Sequence, residues 1–310
     1  MANQKLTVSS SPHVRTKSSV SNIMNTVSLS LVPAAALAVY FFGFYAFLLI
    51  ATCIVSSVLA EVVWQKARDK KITINDGSAI LTGLLLALTL PPRLPLWMAA
   101  LGSVVAIIIG KQVFGGLGFN PFNPALVGRA FLVAAFSVKM TTWYAPHSGV
   151  DATTTATPLA LMKMSGEATN YWSMFMGNIG GSLGETSALA ILLGGAYLIY
   201  KGIVDYRITL GFLGTVALMT GVFGQDPIFH LLGGGLMIGG FYMLTDMVTS
   251  PITKKGRWIY GIGAGIILVI IRLWGGYSEG VLYAILLINM TVPIINRYTR
   301  PRTYGEVKGQ

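Results

Sequence analysis

Residues 151–157 form a polar stretch, Asp-Ala-Thr-Thr-Thr-Ala-Thr, with four hydroxyl side chains in an otherwise apolar chain. An exposed hydroxyl can be joined to a phosphate-bearing group through a phosphoester. The stretch is therefore a candidate attachment site. Residue types alone do not distinguish Thr157 from Thr153, Thr154 and Thr155. The alternative is a threonine-rich surface loop that carries no modification.

Two asparagines, Asn120 and Asn123, each precede a proline after a glycine-rich turn. Proline disfavours the helical conformation of the residue before it, so both steps interrupt the apolar sequence. A carboxamide offers donors and an acceptor, which matches the pyrimidine edge of a flavin. Helix capping before Pro124 is the alternative, because Asn is a preferred N-cap and Pro a preferred first residue.

Asp246 lies near the end of a predicted apolar segment, with three hydroxyl residues around it. A carboxylate inside a membrane is costly and indicates an ion pathway, a proton relay or a counter-charge. The alternative is a structural ion pair with Arg129 or Lys254. We expect Glu61 to be less informative, since it can extend to the surface near Lys66.

A glycine-rich stretch, residues 177–185, precedes another predicted helix and includes Gly180, Gly181 and Glu185. Bare backbone amides before a helix can receive a phosphate. A glycine-rich turn at a membrane surface is the alternative. The stretch is not a dinucleotide-binding fingerprint, because no strand–helix–strand pattern precedes it.

The composition that surrounds these residues is that of an integral membrane protein. Of 310 residues, 54% are hydrophobic and only 11% are charged, and the mean hydropathy is +0.67. These values exclude an ordinary soluble domain. The net charge of +11 therefore indicates basic membrane-flanking loops, not a nucleic-acid partner. The single cysteine, Cys53, excludes an intrachain disulfide and a cysteine-held cluster, and no metal site is predicted.

Ten apolar segments are predicted, and several are shorter than the roughly 20 residues that cross a bilayer. They are residues 24–39, 41–62, 79–90, 94–109, 124–136, 187–200, 208–222, 228–248, 258–271 and 280–294. Basic residues concentrate in alternate loops, which places both termini in the cytoplasm. Loop charges do not distinguish eight full spans from ten.

The expected organisation is two membrane halves around one long loop. It comprises a cytoplasmic segment (1–23), a first half (24–136), an extracytoplasmic loop (137–186), a second half (187–295) and a cytoplasmic tail (296–310). Trp97, Gly102 and Lys111 recur as Trp258, Gly263 and Arg272, about 160 residues later. Because each half holds five segments, an odd number, the repeat is predicted to be inverted.

Four separated motifs, at residues 115–131, 151–159, 177–187 and 244–251, together resemble the RnfD/NqrB family of flavin-carrying membrane subunits. The likeness runs from about Met24 to Arg297. It implies a fold like that of urea transporters, with two inverted five-helix halves. We therefore expect an all-α polytopic membrane protein with about ten transmembrane helices.

The resemblance also implies the roles of the candidate residues. In this family a flavin transferase joins FMN through its phosphate to the last threonine of the 151–157 motif, which is Thr157 here, with Asp151 and Ala156 as motif residues. A second, non-covalent flavin, riboflavin, is implied at Asn120 and Asn123. We place Gly180, Gly181 and Glu185 with the cofactor-binding residues, and Asp246 resembles a family acid of cation translocation.

The short segment before the first apolar run favours the RnfD branch. Its members belong to an ion-translocating complex of the cytoplasmic membrane that moves electrons between ferredoxin and NAD. The partners implied are the other membrane, flavoprotein and iron–sulfur subunits, the transferase and membrane lipid. The chain has no nucleotide-binding motif or cluster ligands, so we expect an incomplete part of a redox-driven translocase. The alternatives are an NqrB-like component of a quinone reductase and a channel on the same scaffold.

Overall fold

The computed structural model describes residues 19–146, 154–166, 169–185, 187–277 and 279–301. Regular structure in this part of the chain is mostly helical. The helices up to the long loop are α1 Val20–Phe42, α2 Phe44–Ala67, α3 Ser78–Leu88, α4 Leu96–Ile107 with a π-helical extension Ile108–Gln112, and α5 Pro124–Ala135. Asp151 and both chain termini lie outside the described residues.

The long loop contains short elements. They are α6 Ser137–Met140, β1 Trp143–Tyr144, β2 Thr154–Thr155, α7 Pro158–Ser165 and α8 Tyr171–Met176. The remaining helices are α9 Ala188–Tyr200, α10 Tyr206–Val222, α11 Pro227–Leu232, α12 Leu236–Ile238 with a π-helical extension Gly239–Met243, α13 Lys254–Trp274 and α14 Val281–Thr299. The antiparallel pair β1–β2 is a small departure from the all-α prediction.

Four helices, α1, α2, α13 and α14, are long and apolar enough to cross a membrane. Five others, namely α3, α4 with its extension, α5, α9 and α10, are apolar but only 10–17 residues long. Helices of that length need tilting or continuation by other segments to cross a bilayer. The prediction of a helical polytopic membrane protein is confirmed at this level.

The apolar segment predicted at residues 228–248 is not a single helix. It divides into α11, α12 and a π-helical turn, because Gly234 (φ 67°) and Gly235 (φ 66°) adopt left-handed conformations between them. A Cβ at Gly234 would lie 2.4 Å from Leu159, and one at Gly235 would lie 2.9 Å from Glu185. Glycine therefore permits both the turn and the close approach of neighbouring chain.

Successive helices reverse direction, so their connections gather at two ends of the molecule, named here the Thr157 end and the Asp246 end. At the Asp246 end, the loop before α10 contacts the start of α13 through Asp205 and Arg257. At the Thr157 end, Lys163 of α7 donates to the loop after α13. The four spanning helices and most of the shorter ones share one apolar core between these ends.

The described basic residues are divided unequally between the two ends. Connections and adjoining helix residues at the Thr157 end carry Arg93, Arg129, Lys139, Lys163 and Arg272, whereas those at the Asp246 end carry Lys66, Arg68, Lys70, Lys71, Lys201, Arg207, Lys254, Lys255, Arg257, Arg297 and Arg300. The structure thus gathers at one end the basic residues that the sequence assigns to one side of the membrane.

Candidate functional site

A cavity of about 220 Å³, the Thr157 cavity, lies where the long loop covers the ends of the helices. Its lining includes Ala156 and Thr157 from the start of α7, Arg129 from α5, and Tyr277 and Glu279 from the loop between α13 and α14. Two of the residues predicted from the 151–157 motif therefore line one cavity, together with a cation and an aromatic ring.

Thr157 is the N-cap of α7. Its Oγ1 accepts a hydrogen bond from the Ala160 amide (3.3 Å), and Pro158 occupies the first helical position. The hydroxyl thus lies at a helix N-terminus, where free amides and the helix dipole favour negative charge. Its side chain is only 2% exposed, so an enzyme that modifies it needs local opening of the loop.

The structure separates Thr157 from one of the other candidate threonines. Thr155 pairs with Trp143 in the β1–β2 ladder, and its Oγ1 is buried without a hydrogen-bond partner among the described residues. It is absent from the lining of the Thr157 cavity. Gly180 lies against this threonine, since a Cβ there would be 2.2 Å from Thr155 Oγ1. The role seen for Gly180 is therefore to let the glycine-rich stretch approach the strand.

Two amides of the glycine-rich stretch are not bare. The Leu183 amide donates to the Leu90 carbonyl (3.1 Å), and the Gly184 amide donates to the Leu88 carbonyl (2.6 Å). These bonds satisfy carbonyls at the end of α3. Gly181 packs against Glu185, whose carboxylate would lie 2.7 Å from a Cβ there.

Glu185 is a buried carboxylate with incomplete hydrogen bonding. It is 8% exposed, its Oε2 accepts weakly from the Ser182 amide (3.4 Å), and its Oε1 has no partner among the described residues. It does not line the Thr157 cavity. Glu185, which was predicted to bind a cofactor, therefore lies behind the residues that line the cavity.

Arg129 pairs with Glu279 through Nη2 and Oε2 (3.0 Å) at the Thr157 end. The expectation that Arg129 could neutralise Asp246 is wrong, because the two residues lie at opposite ends. The Nε of Arg129 is buried and has no hydrogen-bond partner among the described residues. A residue that lines the Thr157 cavity thus carries one N–H that the described chain leaves unsatisfied.

A second cavity, the Asp246 cavity, brings together three predicted residues at the other end of the helices. Asn120, Asn123 and Asp246 all line it, although the third is more than 120 residues away in the chain. Its enclosed space is about 70 Å³. Lys111 contributes a further polar side chain to the lining. This convergence is the main structural support for a binding site there.

The two asparagines in this cavity have different roles. Asn123 caps α5, since its Oδ1 accepts from the Ala125 amide (3.0 Å), and its Nδ2 donates to the Met243 carbonyl (3.3 Å). The capping alternative is therefore correct for Asn123. Asn120 donates to the Phe122 carbonyl (3.0 Å), but its buried Oδ1 has no partner among the described residues. That oxygen is an acceptor available to a ligand.

Asp246 has hydrogen bonds but no ion pair in the described part of the chain. Its Oδ1 accepts from the Val248 amide (3.3 Å), and its Oδ2 lies 3.5 Å from Thr249 Oγ1. The alternative of a structural pair with Lys254 is not seen. Asp246 is half-buried, and a carboxylate in a membrane protein interior without a cation beside it is costly, which favours a functional role.

A buried ion pair beside the Asp246 cavity was not predicted from the sequence. Lys111 Nζ lies 2.7 Å from Glu61 Oε1, and both side chains are 1% exposed. Gln112 Nε2 also donates to Glu61 Oε1 (2.7 Å), because the π-helical turn presents both neighbouring residues to α2. The expectation that Glu61 extends to the surface near Lys66 was wrong. The signal was the isolated acid and the Lys-Gln pair within apolar sequence.

Comparisons with known proteins agree with these motifs. The model of the NQR2, RnfD, RnfE family matches residues 7–305. The chain is 52% identical over 308 residues to the D component of the Na(+)-translocating ferredoxin:NAD(+) oxidoreductase complex of Acetobacterium woodii, a match that covers 98% of this chain and 96% of the relative.

Two further relatives are similar along nearly their whole length. Identity is 49% over 317 residues to the D component of the proton-translocating ferredoxin:NAD(+) oxidoreductase complex of Clostridium ljungdahlii (96% of each chain). It is 39% over 348 residues to the D component of the ion-translocating oxidoreductase complex of Escherichia coli (97% of this chain, 99% of the relative). The chain therefore belongs to the NQR2, RnfD, RnfE family.

Proposed function

We propose that this chain is the membrane-embedded D component of an ion-translocating ferredoxin:NAD oxidoreductase complex. The three relatives described above are named as that component of their complexes and match this chain over at least 96% of its length. Other subunits of the complex are then its partners. The relative from a sodium-translocating complex is 52% identical to this chain and the relative from a proton-translocating complex is 49% identical. The proposal therefore names either Na⁺ or H⁺ as the coupling ion.

The proposal includes FMN held on Thr157 by a phosphoester that a flavin transferase makes. The observation that carries it is the position of this hydroxyl, which lines a cavity at the N-terminus of α7. The residues there fit a phosphate-linked flavin: helix amides favour the phosphate, Arg129 offers an unpaired Nε, and Tyr277 presents a ring. The flavin, when bound, supplies one- and two-electron transfer, whereas the chain holds and orients it.

A second flavin, riboflavin, is proposed at the Asp246 cavity. The unpaired Oδ1 of Asn120 is an acceptor that matches a flavin N–H, so this residue fits the group. The enclosed space of about 70 Å³ is smaller than the roughly 300 Å³ of the smallest ligand pockets. Binding therefore requires lining side chains such as Phe241 and Met247 to move apart.

Asp246 is proposed to take part in ion passage, as the carboxylate without a cationic partner that lines this cavity. A carboxylate can hold Na⁺ or a proton. The proposed topology places the Thr157 end outside the cytoplasmic membrane and both termini inside. It rests on the division of basic residues between the two ends.

We also propose the inverted five-helix repeat, because the two halves pack alike. In the first half α2 contacts α4, and α4 contacts α5; in the second half α10 contacts α13, and α13 contacts α14. The opening helices of the halves, α1 and α9, contact each other, as do the closing helices α5 and α14. Contacts in which each helix of one half meets its equivalent in the other half are typical of two repeats related by a two-fold axis.

The attachment is tested by ultraviolet fluorescence of the denatured chain on a gel, after expression with and without the transferase. Thr157→Asn removes the hydroxyl but retains a preferred N-cap for α7, so we expect a folded chain without the fluorescent band. Thr155→Val, which removes a neighbouring candidate hydroxyl at similar volume, should keep the band. A band that persists in Thr157→Asn would contradict the assignment.

A further inference from the structure

A third cavity, the His230 pocket, lies beside α7 at the Thr157 end and has a volume of about 250 Å³. Its polar lining consists of Lys163, Gln225, His230 and Arg272, and its apolar lining consists of Leu159, Met162 and Leu273. None of these residues is used by the proposed flavin or ion sites. The lining contains two fixed cations and no carboxylate.

His230 is the feature of this pocket that points to a ligand. The side chain is 6% exposed, and neither of its ring nitrogens has a hydrogen-bond partner among the described residues. Leaving buried polar atoms unpaired costs free energy. A group that enters the pocket and pairs with one of these nitrogens removes part of that cost.

The two cations, Arg272 and Lys163, donate hydrogen bonds to backbone carbonyls around the pocket and also have N–H groups without a partner among the described residues. Arg272, which is 4% exposed, donates to the carbonyls of His230 (2.6 Å) and Gly233 (2.9 Å), and its Nε donates to the Glu279 carbonyl (3.0 Å). Lys163 donates to the carbonyls of Arg272 and Gly275. Neither cation has a carboxylate within 4 Å in the described part of the chain.

Counting hydrogens shows how many donors remain. A guanidinium has five N–H groups and an ammonium three, whereas Arg272 makes four hydrogen bonds and Lys163 makes two. One N–H is left on each, a neutral His230 ring adds one N–H, and the Gln225 amide adds its NH₂ group. A donor-rich pocket lined by two cations suits an anion with several oxygens, such as a phosphate.

The surroundings place this pocket at the level of lipid headgroups. Trp274 and Phe223, 63% and 46% exposed, form an edge-to-face pair with ring centroids 5.0 Å apart. Trp274 directly follows Leu273 of the lining. Exposed tryptophan at the end of a spanning helix is typical of the membrane–water interface. Below this pair, α10 exposes Leu218 and Val222 (72% and 81%), a surface suited to acyl chains.

We propose that the His230 pocket binds the phosphate headgroup of an anionic phospholipid at the Thr157 end of the membrane. Its oxygens take the free donors of Lys163, Arg272 and His230, and its chains lie along α10. Because Lys163 belongs to α7, a bound lipid also fixes the helix that begins at Thr157. The proposal does not depend on a flavin at that residue.

The test is native mass spectrometry of the detergent-purified complex that contains this chain, titrated with phosphatidylglycerol. His230→Phe keeps a ring but loses both nitrogens, and Lys163→Gln loses one charge. We expect each to weaken binding of one phosphatidylglycerol about tenfold or more, as the loss of a charge-assisted or buried hydrogen bond does. Lys139→Gln, an exposed lysine at the same end, is the control and should bind like wild type.

Two competitors separate the possible sources of phosphate. Phosphatidylcholine and millimolar inorganic phosphate should both fail to displace phosphatidylglycerol. Displacement by inorganic phosphate would overturn the lipid assignment, as would unchanged binding in both pocket variants. A variant that does not elute as an intact complex is replaced by Gln225→Leu, which removes the amide of an exposed lining residue and should also weaken binding.

Discussion

At the scale of single residues, the two cavities contain polar atoms that the fold itself does not satisfy. Asn120 Oδ1 and Arg129 Nε are buried without partners among the described residues, and Asp246 has no cation beside it. By contrast, Asn123 is fully used as a cap and a bridge. The proposed function gives a ligand to each of the three groups Asn120, Arg129 and Asp246.

Asp246→Asn is predicted to reduce ion transport by the reconstituted complex while leaving flavin content unchanged. The amide keeps the size of the side chain and its hydrogen bond from Val248, but it cannot carry the charge. Asp205→Asn is the control, because Asp205 pairs with arginines at the same end. Equal loss of flavin and transport in Asp246→Asn would instead indicate a folding role.

Lys111→Met is predicted to destabilise the chain by about 3–5 kcal/mol, because it leaves Glu61 charged and buried without its partner. Adding Glu61→Leu should restore most of that loss, since a well-packed apolar pair can replace a buried ion pair. Thermal unfolding in detergent measures both effects. Lys201→Met, an exposed lysine, is the control; a similar small loss in both single variants would contradict the buried pair.

At the scale of elements, the sequence predicted where helices are interrupted better than what the interruptions do. The Asn-Pro steps correctly marked the start of α5 at Pro124. For the glycine-rich stretch before α9, the sequence left a phosphate-binding turn and a plain surface turn open. Two of its amides, those of Leu183 and Gly184, bond to carbonyls at the end of α3. Composition can identify a turn, whereas its partners come from residues about 95 positions away.

Gly180→Val is predicted to lower flavin attachment at Thr157 without a change at that residue. A side chain at Gly180 would overlap Thr155 Oγ1, 2.2 Å from the added Cβ, and would displace β2 and the start of α7. Gly214→Val, where nothing lies within 4 Å, controls for the loss of a glycine. In-gel flavin fluorescence relative to chain amount reports the effect, and equal signals in the two variants would argue against it.

At the scale of the whole molecule, loop charges and periodicity predicted a helical membrane protein with two differently charged ends. The broken segment around Gly234 and Gly235 and the buried Glu61–Lys111 pair were not predicted. Both depend on contacts between segments distant in the chain, such as the approach of Leu159 to Gly234. Hydropathy gives the number of apolar segments, but not which of them are continuous.

The proposed sidedness predicts which end of the molecule is labelled from outside the cell. Cys53 is the only cysteine and is fully buried, so Cys53→Ser gives a background without thiols. In intact cells, a membrane-impermeant maleimide should label Lys139→Cys at the Thr157 end and not Lys201→Cys at the Asp246 end. The opposite labelling pattern would reverse the topology.

Attachment of FMN to Thr157 underlies the proposed electron-carrying role of the whole chain, and peptide mass mapping detects it without recourse to activity. The chain is purified from a host that contains the flavin transferase, digested, and fragmented across residues 151–157. We predict a mass increase of one FMN less one water, located on Thr157. An unmodified peptide, or an adduct located on Thr153, Thr154 or Thr155, would contradict the proposed attachment.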